Sequence, residues 1–322
     1  MSTHTLPRHQ PLVAQTRGEI IESIHYGSAA VLNADGSLAF SIGDPEALFY
    51  PRSALKPLFA VGMLRAGLKL SSEQLALAAA SHSGSTRHQD IALSTLTNAG
   101  LTAADLGNSS DLPYGAAERQ AHLQAAKGPA QLAQNCSGKH AALLALCRLK
   151  GWDTATYLAP EHPIAQLLHE TITELCDTEI TSVSVDGCGT PVYPISLKAL
   201  ARGYSRLQTA APGSPEAQVA HAMSSHPELV AGIGRDVTTF MQVLPGAIAK
   251  DGFEGIQAVA LPDGRAVAIK IADGSDRARL PITASLLCQI LQTAAPMALE
   301  SLRTLPVTAG VREENVGKLS AF

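Results

Sequence analysis

Two polar residues, Ser53 and Lys56, stand three positions apart in the segment YPRSALKP, where strand-like sequence gives way to helix-like sequence. Residues i and i+3 share one face of a helix, so the lysine can reach the serine. Serine becomes a nucleophile when a base takes its proton, and a lysine acts as that base if burial or a nearby cation lowers its pKa. The pair suits acyl-serine chemistry, but one S-x-x-K match is expected by chance about once in a chain of this length, so the motif taken alone favours two polar residues that merely share a helix turn.

Two later stretches offer further groups for proton transfer. An alanine-rich segment ends in Ser81 and His82, a pattern that also fits ordinary helix capping. Lys270 interrupts the apolar strand sequence AIKI, where a lysine on an exposed face is the simplest interpretation. An S-x-x-K helix, a serine-bearing turn and a late strand lysine nevertheless occur in the order found in serine β-lactamases, without their K-T-G or S-D-N motifs.

Two cysteines, Cys136 and Cys188, lie in glycine-containing turns within QNCSGKH and VDGCGTP. With Lys139 or His140 they could hold zinc, since thiolates and nitrogen donors are its usual ligands. The chain has no C-x-x-C or H-E-x-x-H motif, so two free thiols remain the alternative. The other three cysteines lie on apolar helical faces and indicate core positions.

The segment SHPELVAGIGRD places polar and charged side chains between small residues: His226, Glu228, Arg235 and Asp236. This composition suits a loop that binds a ligand. A plain connection between helices fits it equally well.

The composition describes a folded protein with no basic surface. The chain has 322 residues, 46% of them hydrophobic and 16% charged, with a net charge of -4. We therefore expect no nucleic-acid and no membrane partner. The first residues lack the apolar core of a secretion signal, and five cysteines do not form a complete disulfide set, so we expect a cytoplasmic protein.

The elements that must position these residues form sheet at the two ends of the chain and helix in the middle. EIIESIHYGSAAVL and SLAFSIG read as strands around an Asp-Gly turn, and IQAVAL and RAVAIKI repeat that pattern near the other end. We predict an α+β fold whose terminal segments share a mostly antiparallel sheet, with flanking helices and an inserted helical lobe. Residues 1–14 are expected to be a flexible segment, and residues 15–322 a single two-lobed domain with a site in the cleft.

Together these stretches resemble one family, the thermolabile, rhizobial-type L-asparaginases. The matching pieces are RSALKP, ASHSG followed by His88, NCSGKH, DGCGTP, HPELVAG followed by GR, and KIADG, in order from residue 52 to residue 274. NCSGKH and DGCG together are specific. Ser85 departs from the pattern, because an acidic residue is expected there, and this affects the local charge near the pocket.

The resemblance implies a fold like that of serine β-lactamases and glutaminases and two serine–lysine pairs. Ser53 with Lys56 matches the nucleophile pair, and Ser81 with Lys270 matches the second pair. We expect Ser53 to be acylated, with Ser81 as the alternative nucleophile.

The resemblance also implies one zinc ion, accessory to substrate binding, at the positions of Cys136, Lys139 and Cys188. Asp186 matches a substrate-binding position, and Arg52 lies beside the nucleophile. The remaining residues expected to contact substrate are His82, Asn135, Gly187, His226, Glu228 and Arg235.

The expected activity is hydrolysis of L-asparagine to L-aspartate and ammonia by a homodimeric enzyme. A glutaminase or a β-lactamase-like acyl-serine hydrolase is the first alternative. A non-catalytic protein that binds zinc and an amino acid is the second, and the complete set of serines and lysines argues against it.

Overall fold

The computed structural model describes residues 6–322. Within that range the strands are β1 (Gln10–Arg17), β2 (Ile20–Leu32), β3 (Leu38–Ile42), β4 (Ser184–Val185), β5 (Pro191–Val192), β6 (Ile248–Gly252), β7 (Ile256–Ala260), β8 (Ala266–Ile271), β9 (Thr304–Ala309) and β10 (Glu314–Ala321). Eight of them form one antiparallel sheet in the order β6-β7-β8-β2-β1-β10-β9, with β3 also paired to β2. β4 and β5 form a separate small hairpin.

Helices fill most of the chain between β3 and β6. In residues 6–322 they are α1 (Lys56–Arg65), α2 (Ser72–Ala78), α3 (Thr86–Asn98), α4 (Ala116–Gln124), α5 (Ser137–Lys150), α6 (Pro163–Cys176), α7 (Leu197–Thr209), α8 (Pro215–Ser225), α9 (Pro227–Val230), α10 (Asp236–Val243), α11 (Arg279–Leu291) and α12 (Met297–Ser301). A short 3-10 turn, Arg52–Leu55, leads into α1. Pro57 lies in the first turn of α1, where its missing N–H breaks no helical hydrogen bond.

The two ends of the chain build the sheet together, as predicted. β1 pairs with β10, so that Val13 lies opposite Ala321, and β2 pairs with β8, so that Ser28 lies opposite Lys270. β7 is buried at every position, and α7 and α11 both pack against it. The predicted α+β class is confirmed: a largely antiparallel sheet carries helices, and a helical lobe is inserted between its strands.

The helical lobe meets the sheet where the site residues lie. α1 packs against α6 and α8, and α2 packs against α5 and α8. The turn before α1 packs against β6, the edge strand of the sheet. The end of α2, the start of α1 and the end of β6 therefore come together in one cleft.

The predicted flexible segment over residues 1–14 is wrong for residues 10–14. Residues 1–5 lie outside the described part of the chain, and β1 begins at Gln10. Leu12, Val13 and Ala14 are buried against the core, because β10 supplies the neighbouring strand. Over residues 6–322, no helix is both long and apolar enough to cross a bilayer.

Candidate active site

Ser53 sits in a strained turn at the start of α1. The preceding residue, Arg52, has a φ of 55°, in the left-handed region that residues other than glycine rarely adopt. Such strain persists where the surrounding structure enforces it, and it is frequent at functional sites. The Ser53 side chain lines a narrow cavity of about 30 Å³, room for one or two water molecules.

Ser81 lines the same cavity and accepts a hydrogen bond from the buried Lys56. The Lys56 Nζ donates to the Ser81 Oγ at 2.9 Å and to the Ala80 carbonyl at 2.7 Å. The Ser81 N–H donates to the Val230 carbonyl at 3.0 Å, which fixes the segment after α2. The two predicted serines are thus brought together, and the lysine of the S-x-x-K pair contacts the second serine.

The predicted pairing of Ser81 with Lys270 is wrong. The Lys270 Nζ donates to the carbonyls of Glu254 and Ile271, at 2.7 and 2.6 Å. Lys270 lies at the end of β8, and β7 separates that strand from β6, which faces the serines. Its side chain therefore binds one carbonyl group in the turn between β6 and β7 and one at the end of β8.

The strand lysine at the site is Lys250, which the sequence analysis missed. Its side chain is fully buried, and its Nζ donates to the carboxylate and to the carbonyl oxygen of Asp251. Gly252 shares the same face of β6 two residues later, and a Cβ there would lie 2.3 Å from the Pro51 carbonyl oxygen. This face of β6 is therefore packed directly against the turn that carries Ser53.

Opposing effects act on the pKa of Lys250. Burial lowers the pKa of Lys250 to about 8, the Asp251 carboxylate opposes that shift, and the positive charge of Lys56 adds to it. In the sequence, each lysine follows a short apolar run, Lys250 in IAKDG and Lys270 in AIKIADG. This shared pattern does not show which of the two lysines faces the serines, and the prediction of Lys270 was therefore wrong.

The three predicted zinc ligands converge beside the cavity. The Lys139 Nζ lies 3.1 Å from the Cys188 Sγ and 2.6 Å from the Thr190 Oγ1. A hydrogen bond from Cys136 and the charge of Lys139 hold the pKa of Cys188 well below its usual range, against the effect of burial. The pKa of Cys136 is raised by its hydrogen bond to Cys188 and by burial.

This donor set has the chemistry for zinc. Two sulfur atoms and one amine meet at the start of α5 and the turn between β4 and β5, and the thiolate form of Cys188 is favoured before any metal binds. Among residues 6–322 no group of three His, Cys, Asp or Glu side chains could hold a metal, so the lysine is needed to complete a three-ligand set. The residues present therefore fit a zinc ion.

Arg52 and Asp186 form an ion pair that contacts a residue of the cavity lining, Phe253. The Arg52 Nε donates to the Asp186 Oδ1 at 2.6 Å, and the guanidinium lies 5.7 Å from the centre of the Phe253 ring. The Gly187 N–H donates to the same carboxylate oxygen at 2.9 Å. Asn135 lines the cavity and accepts a hydrogen bond from the Cys136 thiol at 3.0 Å.

Arg235 lines the cavity directly. Its Nη1 donates to the Ser81 carbonyl at 2.8 Å, and its Nη2 donates to the Asp251 carboxylate at 2.5 Å. The guanidinium lies 4.6 Å from the centre of the Tyr114 ring, a cation–π contact. Five further residues that the sequence motifs did not predict also line the cavity: Tyr114, Asp251, Phe253, Asp276 and Arg279. No local pattern distinguishes them from surface residues.

Of the eight predicted substrate-binding residues, Asn135 and Arg235 line the cavity, whereas Arg52, His82, Asp186, Gly187, His226 and Glu228 do not. His82 is buried behind it with its Nε2 2.9 Å from the Ser137 Oγ, and burial lowers its pKa well below the usual value. His226 contacts the Ser72 hydroxyl at 3.1 Å, and Glu228 pairs with Arg87 at 3.4 Å.

The loop that contains His226 and Glu228 supports the site through its backbone. The Val230 and Ala231 carbonyls accept hydrogen bonds from the N–H groups of Ser81 and Ser83. Arg235 of this segment lines the cavity, whereas His226 and Glu228 do not, so a role of the segment in substrate binding stays a prediction that only Arg235 is placed to serve directly.

A larger groove of about 340 Å³ lies beside the β4–β5 hairpin, among mostly apolar side chains such as Leu158, Val185 and Tyr193. Neither site serine and neither buried lysine lines this groove. The smaller cavity is therefore the candidate active site, because both serines line it and the Lys56 Nζ is hydrogen-bonded to one of them.

The family model described as L-asparaginase II matches residues 13–321. None of the curated proteins compared with this chain matches it.

Among solved structures, the chain is similar to a beta-lactamase from Mycobacterium bovis, with 14% identity, a TM-score of 0.46, and 84% of this chain and 95% of that chain covered. It is also similar to EstCE1, a hydrolase with promiscuous acyltransferase activity, with 13% identity, a TM-score of 0.42, and 81% and 93% covered.

Proposed function

This chain belongs to the L-asparaginase II family, and from that premise we propose that it hydrolyses the side-chain amide of L-asparagine to L-aspartate and ammonia. One observation carries the proposal: Ser53 and Ser81 line a single cavity, and the Ser81 Oγ is 2.9 Å from the Nζ of the buried Lys56. A nucleophile, a neighbouring hydroxyl and a buried amine are the parts that acyl transfer requires.

In the first half of the reaction the Ser53 Oγ attacks the amide carbon of the substrate. Of the two buried lysines, Lys56 and Lys250, the one that is neutral takes the serine proton and returns it, through the Ser81 hydroxyl, to the leaving nitrogen. The C–N bond breaks, ammonia leaves, and an acyl-enzyme remains on Ser53. In the second half a water molecule loses a proton to the neutral lysine and attacks the ester. L-Aspartate is released, and Ser53 regains its proton.

Lys250 replaces Lys270 as the second lysine of this mechanism. Two neighbouring ammonium groups repel each other, so the site favours a state in which one of the two buried lysines is neutral. The lowered pKa of Lys250 agrees with this arrangement. The neutral amine accepts the proton that hydrolysis transfers.

Charged side chains in the cavity lining and beside it suit a zwitterionic amino acid. Asp186 and Asp276 offer carboxylates to an α-ammonium group, and Arg52 and Arg235 offer guanidinium groups to an α-carboxylate. The cavity is smaller than asparagine, so binding requires displacement of the side chains at its mouth. Phe253 lines the cavity and is 57% exposed, so we expect its side chain to be one of those that move.

We further propose that zinc binds Cys136, Lys139 and Cys188. When bound, it would supply a Lewis-acidic centre that fixes the loop beside the substrate. Cys136 bonds to Asn135, which lines the cavity, and Cys188 follows the Asp186–Gly187 turn. These residues orient the substrate while the serines supply the nucleophile, so we expect the metal to affect substrate affinity more than chemistry.

The test is a substrate panel with asparagine, glutamine and a chromogenic β-lactam, scored for ammonia release or ring opening. Ammonia from asparagine, lost in Ser53→Ala, supports the proposal. Preference for glutamine or for the β-lactam would assign the alternative hydrolase activities. Binding of asparagine without ammonia release would indicate a binding protein instead.

Two properties of the whole chain also belong to the proposal. We propose that the enzyme is a homodimer, which light scattering of the purified protein tests directly. We propose that it acts in the cytoplasm, which fractionation of the producing cells tests.

A further inference from the structure

Asp251 is the acidic group in direct contact with the Lys250 ammonium. Within residues 6–322, both hydrogen-bond acceptors of the Lys250 Nζ belong to Asp251, one on its carboxylate and one on its backbone. Both side chains are buried. A buried ammonium without a nearby anion is strongly disfavoured, so this carboxylate determines where the Lys250 side chain lies.

The second carboxylate oxygen of Asp251 connects Lys250 to two arginines. Arg235 donates to it at 2.5 Å, and Arg279 lies 3.7 Å away. The other amino group of Arg235 holds the Ser81 carbonyl at 2.8 Å. A continuous chain of polar contacts thus runs from Lys250 through Asp251 and Arg235 to the backbone of a proposed catalytic serine.

The charged groups around Lys250 come from several elements. Lys56 on α1 and Arg235 before α10 act on it as cations, and Asp251 acts as an anion. The Asp251 carboxylate in turn faces Arg279 on α11, which also pairs with Asp236 at 3.0 Å and with Asp276 at 3.3 Å. Lys250 and the arginines hold the pKa of Asp251 well below its usual range, against the effect of burial, so the carboxylate is ionised throughout the neutral range.

We propose that Asp251 is a positioning residue that holds the Lys250 amine beside the Ser53–Lys56–Ser81 cluster and couples it, through Arg235, to the Ser81 backbone. The inference rests on the proposed role of Lys250 as the second lysine of the hydrolytic site. Asp251 itself acts on the reaction through Lys250. Its negative charge favours the protonated lysine, so it also sets the pH above which the amine becomes available.

The direct test is Asp251→Asn, which keeps the size and one oxygen acceptor and removes the charge. Without the anion the protonated form of Lys250 is less favoured, so the acid limb of the turnover profile should move to lower pH by about one unit or more. Maximal turnover should fall, because the amine is held less firmly. Asp263→Asn is the matched control: it lies in the exposed β7–β8 turn, pairs with Arg265, and should leave the profile unchanged.

Arg235→Met should shift the acid limb of the turnover profile in the opposite direction. It removes a cation near Lys250, so the acid limb should move to higher pH. Circular dichroism and thermal melts first establish whether Asp251→Asn folds. If it does not, Arg235→Met and Asp251→Glu test the same proposal. A loss of turnover in Asp251→Asn with an unmoved acid limb would mean a purely structural role and would overturn the proposal.

A second readout does not depend on activity. The protein is labelled with 13Cε-lysine, the Lys250 signal is assigned by its disappearance in Lys250→Arg, and its titration is followed by NMR. Asp251→Asn should lower the titration midpoint of that signal, and an unchanged midpoint would overturn the proposal. If wild-type protein released no ammonia from asparagine, the proposed function would fail while this titration still tested Asp251.

Discussion

The pH profile of turnover tests the assignment of Lys250 most sharply. Burial and the charge of Lys56 lower the pKa of Lys250 to about 8, and the amine must be neutral to accept a proton. A lysine with a lowered pKa gains its neutral form as the pH rises through that value. Turnover at saturating asparagine should therefore rise through the neutral range and be greatest at roughly pH 8 to 9.5.

The size of the rise follows from the titration of one group. With a pKa of about 8, Lys250 is neutral in about one-tenth of the molecules at pH 7 and in about nine-tenths at pH 9. Turnover should thus increase about tenfold between those values, with a slope of about one on the acid side. This increase is measured by stopped assays of ammonia release at saturating asparagine, in buffers of constant ionic strength.

Two lysine variants locate the responsible group. Lys250→Met should lose about 100-fold or more of the turnover, the usual contribution of a positioned acid or base. Lys270→Met is the matched control, because Lys270 bonds to two carbonyl groups away from the cavity and its loss should leave most of the turnover. A large loss in Lys270→Met with an active Lys250→Met would refute this reasoning, as would an optimum near pH 5 to 6.

The other predictions concern the serines, the metal and the packing of β6. Alanine at either of the two cavity serines should lower turnover by about 1,000-fold or more, measured by ammonia release, and near wild-type rates in both variants would exclude the serine mechanism. Protein purified without chelator should contain about one zinc per chain by elemental analysis, lost in Cys136→Ser and retained in Cys147→Ser, whose thiol is buried on α5. Removing the metal should raise KM more than it lowers kcat, and complete loss of turnover restored by zinc would contradict that accessory role. Gly252→Ala would place a Cβ 2.3 Å from the Pro51 carbonyl oxygen, so it should displace the nucleophile turn and reduce turnover. Gly128→Ala meets no neighbouring atom within 4 Å, and comparable damage in both glycine variants would contradict the packing argument.

Local sequence patterns were sufficient for the elements that fold by local rules. The apolar runs on either side of an Asp-Gly turn correctly predicted β2, β3, β7 and β8. The start of α2 was predicted from Ser71 and Gln74, which form a capping box in the structure. β1, β6, β9 and β10 were missed, because each is short or polar and becomes a strand only where a neighbour supplies its hydrogen bonds.

The motifs also identified much of the site. The NCSGKH and DGCG segments, read through the family resemblance, pointed to Cys136, Lys139 and Cys188, and the fold brings their side chains together. The serines of both serine motifs reach the same cavity. These residues could be found because each belongs to a short motif that is unusual by itself.

The sequence by itself therefore determined the class of fold, the two serines and the thiol cluster. It did not determine which strand lysine faces the serines, since IAKDG and AIKIADG look alike locally. Strand order decided that question: β6 is the edge strand beside the nucleophile turn, while the end of β8 points to a loop. The packing of β6 against a turn nearly 200 positions earlier depends on sheet order and on the placement of distant elements, and no local periodicity records it.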